Sequence, residues 1–120
     1  MSSSEEIGVD IQPWIDLIAE KSEALNTVNI AVNEYVRVKN EYIVKSNMLR
    51  LKPHEIQEEL GLSKVPTEKQ QQAYIDDKLK DLVQDIRIAE ENVKSWKREV
   101  DLLNDKISLE KLKINLLVGY

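Results

Sequence analysis

Residues 82–107 read "LVQDIRIAEENVKSWKREVDLLNDKI", and the spacing of their apolar side chains decides the fold. With Leu79 ahead of them, Leu82, Ile86, Ala89, Val93, Trp96, Val100, Leu103 and Ile107 follow alternating steps of three and four. That is the a/d seam of a coiled coil, sustained for four heptads. Upstream, "VPTEKQ" supplies the start signal: Pro66 breaks the chain, Thr67 caps a helix, and Gln70 reaches back to it three residues later. The reading predicts one long helix over about 67–118. At 1.5 Å per residue such a helix is on the order of 75 Å long and must lie against something equally long.

The partner is found upstream. Ile11, Trp14, Ile18, Leu25, Val28, Val32, Tyr35, Tyr42 and Leu49 fit the same heptad, with Lys21, Lys39 and Ser46 at the intervening seam positions. Pro13 suits a first helical turn, so helix 1 is expected over about 13–51. Between the arms, "KPHEIQEELGLSKV" predicts a tip over 52–66, with a short helix started by Pro53 and stopped by Gly61. The expected fold class is all-α: a long antiparallel two-helix coiled-coil hairpin with a short helix at its tip, dimerising into a four-helix bundle. Residues 1–12 are expected to be a flexible acidic tail, and 13–120 a single domain.

The last stretch, "ISLEKLKINLLV" at 107–118, breaks the discipline of the single stripe. Pairing the arms about the tip places Leu49 near Glu68, Val28 near Ala89, Lys21 near Trp96 and Trp14 near Leu103, which leaves the end of helix 2 overhanging. An uncovered apolar helix end exceeds what soluble monomers tolerate, so a homo-oligomer, a dimer first, is expected. Its interface is assigned to Ile107, Leu109, Leu112, Ile114, Leu116, Leu117 and Val118. The competing expectation folds Ile7, Val9 and Ile11 back over the overhang. The alternation in "LEKLKINLLVGY" also admits a short strand, but the seam continues through Ile114 and Leu117 and Gly119 sits where a helix stops, so helix is preferred.

Composition narrows the function. The chain has 120 residues, 32% of them charged and 5% aromatic, with three Gly, three Pro and no Phe. That favours long helices over sheets. Without Cys there is no disulfide, thiolate metal site or cysteine nucleophile. The start "MSSSEEIGVD" lacks a signal peptide's basic and apolar regions, and no window approaches about 20 apolar residues, so a soluble cytoplasmic protein without membrane contact is expected. The net charge of −5 resides largely in the tail. Residues 13–51 carry five acids and five bases, and 67–120 eleven acids and ten bases, so neither arm is a basic nucleic-acid stripe.

No catalytic or cofactor site is expected. His54 is the only histidine, "HEIQE" departs from HExxH at its last position, and a di-iron bundle would need a second Glu-x-x-His. Gly8, Gly61 and Gly119 are too dispersed to cradle phosphate. Asp76 with Asp77, and Glu90 with Glu91, read as solvated helix faces paired with Lys78, Lys80 and Lys94 rather than acid–base pairs. Trp96 lies near Lys94, Lys97 and Arg98, but its heptad place makes it core, packed opposite Ala24 or under the Lys21 stem.

The run "PTEKQQQAYIDDKLKDL" followed by a charged helix ending "LLNDKISLEKLKI" resembles small helical-hairpin proteins of phages and prophages, some encoded near single-strand-binding or recombination proteins. The resemblance covers about the last half and implies a virus-associated accessory role, with no catalytic residue carried over. Three functions are therefore expected in order. The first is a homo-oligomeric adaptor or scaffold that holds a protein partner at its tip, around Arg50, Lys52, His54 and Lys64, or on the exposed bundle face. The second is a nucleic-acid-binding accessory in which dimerisation gathers Lys45, Arg50, Lys52, Lys64 and Lys69 from the tips. The third is a holdase resembling prefoldin's helical arms.

Overall fold

A computed structural model of the chain describes residues 10–119. Four helices follow one another: α1 Gln12–Arg50, α2 Pro53–Leu60, α3 Glu68–Lys78 and α4 Lys80–Val118. The fold is an all-α helical hairpin in which α1 and α4 pack against each other. The chain divides into two compact units, Met1–Ala31 with Asn92–Tyr120, and Val32–Glu91. Residues 1–9 of the expected tail, and with them the expectation for Ile7 and Val9, lie outside the described residues, whereas α1 begins at Gln12, whose N–H donates to Asp10 Oδ1 at 2.9 Å.

In the first unit, α4 buries Val93 and Leu103 and half-buries Trp96, Val100 and Ile107, as its heptads require. The covered face continues through half-buried Glu110, Ile114 and Asn115, beyond the point where an overhang was expected to begin. The α1 side departs from expectation. Ala24 and Ala31 are buried and Leu17, Lys21 and Val28 half-buried, whereas Ile18 and Leu25 remain 42% and 43% exposed. The seam runs one residue earlier than predicted at Leu17, Ala24 and Ala31, while Ile11, Trp14, Lys21 and Val28 keep their expected places; at Ala24 and Ala31 a methyl side chain permits a closer approach than Leu or Val would. Trp14 is half-buried, and its indole Nε1 is buried without a hydrogen-bond partner. The C-terminal stretch is helical to Val118, and Gly119, at φ +80°, follows it.

In the second unit, the same displaced seam buries Val38 and leaves Lys39 exposed. Ser46 is buried at the seam position expected of it, with its hydroxyl donating to the Ile43 carbonyl at 3.0 Å. Gly61, at φ +64°, ends α2 in the left-handed conformation. Its N–H reaches the Glu58 carbonyl, and the Leu62 N–H the Gln57 carbonyl at 3.0 Å. Thr67 opens α3 with the expected capping box: the Gln70 N–H donates to Thr67 Oγ1 at 3.2 Å, and the Thr67 N–H to Gln70 Oε1 at 2.9 Å. α2 packs on α3, and Ile56 and Ile75 are the fully buried large side chains. The predicted single second helix is interrupted at Leu79, whose φ of −106° and ψ of 24° leave the helical region, so it divides into α3 and α4.

Candidate functional site

Each unit presents one surface. In the second unit, the basic residues expected to be gathered by dimerisation have different surroundings within the single chain. Lys45 is bridged to Glu41 at 2.9 Å, and Glu41 also lies 3.5 Å from Arg37, which clasps Glu34. These ammonium and guanidinium partners hold the carboxyls of Glu41 and Glu34 below the usual carboxylate range. Arg50 turns inward and donates to Gln72. Gln72 in turn donates to the Tyr42 hydroxyl at 2.9 Å and to Asp76 at 2.8 Å, and the Tyr42 hydroxyl donates to Asp76 at 2.8 Å. Partial burial and this acidic neighbour push the Tyr42 phenol up.

Lys45 and Lys52 line one cavity of about 280 Å³ together with Met48, Leu49, Glu55 and Leu79. Lys64 lines a separate cavity of about 300 Å³ with Ser63, Val65, Thr67 and Gln70. His54 and Lys69 are exposed. Glu59 and Glu55 sit among these bases, so the surface alternates in sign. Lys78 does not answer Asp76 or Asp77 as expected. Its ammonium lies 3.2 Å from Glu59, which also accepts the Tyr74 hydroxyl at 2.8 Å, because the tip brings α2 beside α3. Desolvation and the Glu59 carboxylate push the Tyr74 phenol up to about 12. Among the described residues, no group of three or more His, Asp or Glu is gathered to hold a metal ion.

In the first unit, the assigned interface residues separate into two sets. Ile107 and Ile114 are half-buried against the chain's own seam. Leu109, Leu112, Leu116, Leu117 and Val118 are open, Leu109 at 59% and Leu116 at 69%. Leu102, Leu109, Leu112 and Leu116 share one face of α4 by their spacing of seven, three and four. A second open stripe was missed from sequence: Ile15, Ile18 and Leu25 on α1, with Ser22 between them. The signal was present. "WIDLIAEKSEALN" supports seams through Leu17 and Ala24 and through Ile18 and Leu25 alike.

No described helix is long and apolar enough to cross a membrane. Comparison with family models, curated proteins and solved structures returned no match.

Proposed function

We propose that the chain is a non-catalytic helical adaptor or scaffold that assembles with copies of itself through its first unit and offers its second unit to a protein partner. The observation that carries the reading is the aliphatic surface left open in the first unit. Ile15, Ile18, Leu25 and Ile30 on α1 and the six open aliphatics of α4 from Leu102 to Val118 are each at least 42% exposed. Ile15, Ile18 and Leu25 fall on one face of α1, and Leu102, Leu109, Leu112 and Leu116 on one face of α4, the kind of continuous apolar surface that marks an interface. A lone chain with that surface would associate nonspecifically, and a defined partner removes the liability. The alternating charges of the second unit, and the engagement of Lys45 and Arg50 within the chain, support protein contact over nucleic-acid binding there.

Light scattering on the full chain tests the reading. A mass of two or more chains at micromolar concentration is expected, falling to one chain in Leu109→Asp/Leu116→Asp with helicity retained. A monomeric parent chain would end the proposal. Binding to single- or double-stranded DNA at low salt that weakens steeply as salt rises would replace it with the nucleic-acid reading.

A further inference from the structure

The second unit holds a groove at its tip. Leu60 at the end of α2, Leu62 in the loop that follows, and Gln70, Ala73, Tyr74 and Asp77 along α3 line a cavity of about 420 Å³. Leu62 and Gln70 also line the cavity of about 300 Å³ that Lys64 and Val65 border, so the two adjoin. Each falls within the size range of ligand sites. The floor is apolar and open, with Leu60 44% and Val65 54% exposed. Its ends differ in charge. Asp77 stands two helical turns beyond Gln70, about 10 Å along α3 at 1.5 Å per residue, and Lys64 lies on the Gln70 side. Among the described residues neither Asp77 nor Lys64 has a hydrogen bond or an ion pair, whereas Lys78 and Glu59 satisfy each other.

From this arrangement we infer that the groove binds a short segment of a protein partner in which aliphatic side chains lie between a basic and an acidic residue. The base meets Asp77 and the acid meets Lys64. This rests on the reading that the second unit is offered to a protein partner, and it names the place and the chemistry of that contact. The apolar floor of Leu60, Leu62, Val65 and Ala73 accepts aliphatic groups without choosing among segments. The charges choose. A segment that covers the groove takes water from Asp77 and Lys64, and each charge then costs free energy unless the segment answers it with the opposite sign. A segment charged alike at both ends meets repulsion at one of them, so the groove discriminates by order of charge as well as by shape.

A random-peptide library displayed on phage and selected on the full chain tests it. The selected peptides are expected to carry aliphatic residues between a base and an acid. They should bind Ala73→Arg at least about tenfold more weakly, because the new guanidinium occupies the floor. Asp77→Lys is expected to weaken the same peptides roughly tenfold, and replacing the peptide's base by Glu should restore binding to that variant alone. Ala73 and Asp77 are exposed, and circular dichroism checks that both variants keep the parental helicity. Should either lose it, Lys64→Glu, in the loop between α2 and α3, reads the same exchange at the other end, with the peptide's acid replaced by Lys. Peptides that bind the variants as tightly as the parent chain lie elsewhere; they overturn the groove and leave the partner reading standing. A consensus without the two charges, or an exchange that fails to restore binding, overturns the assigned chemistry. A selection that yields no binder overturns the groove and the partner reading together.

Discussion

Truncating Ile75 and Ile88 to Ala removes the same three carbons from neighbouring helices of one unit, yet the costs should differ several-fold. Ile75 is fully buried, and each lost carbon forfeits about 0.8 kcal/mol of transfer free energy, or about 2.4 kcal/mol in all. The hole left between α2 and α3 raises the cost to about 3–4 kcal/mol. Ile88 is 58% exposed, so less than half of that transfer free energy is at stake, about 1 kcal/mol. Alanine's better helix propensity returns about 0.4 kcal/mol, leaving a net loss near 0.5 kcal/mol. Urea unfolding followed by circular dichroism reads the difference. Ile75→Ala should lower the midpoint by about 1.5 M at a slope near 2 kcal/mol/M, and Ile88→Ala by about 0.3 M. Equal midpoints for the two variants would mean that Ile88 is covered. A shift under about 0.5 M for Ile75→Ala would mean that α2 and α3 do not close on it.

Two further predictions concern the same unit. Thr67→Ala deletes the acceptor for the Gln70 N–H and should cost about 1 kcal/mol in the same assay, whereas Thr67→Ser keeps the cap and should cost much less. Tyr74 should ionise only near about 12 in an ultraviolet titration, and Glu59→Gln should move that transition down towards the ordinary phenol value. The sign follows from a folded-state pKa above the unfolded one. The stabilisation from the neutral phenol is whole below about pH 10 and is lost as the pH climbs through about 12. The same contact lowers the Glu59 carboxyl, so its contribution is present above the unfolded carboxylate range and is lost on acidification.

How much could be read from the sequence differs between the two long helices for a physical reason. Between Leu82 and Ile107 on α4, eleven of the eighteen positions off the seam are charged and three, Val83, Ile88 and Leu102, are apolar, so one register buries the apolar groups there, and Leu82 through Ile107 lie where their spacing places them. The caps at Thr67 and Gly61 were equally legible, because each depends on residues within three or four positions. The Arg50–Gln72–Tyr42–Asp76 network was not, since it joins polar residues 22 to 34 positions apart that share no period. α1 is the instructive case. It carries two interleaved apolar sets one residue apart, and at the second pair choosing the bulkier residue put Leu25, with Ile18 before it, where Ala24 and Leu17 belong. Apolar bulk is the wrong criterion when two helices must approach closely, since alanine gives up contact area but permits the approach. The displaced set is not an idle surplus. A helix whose sequence supports two registers has two apolar faces, a single antiparallel neighbour covers only one of them, and the other retains the spacing a further helix would need.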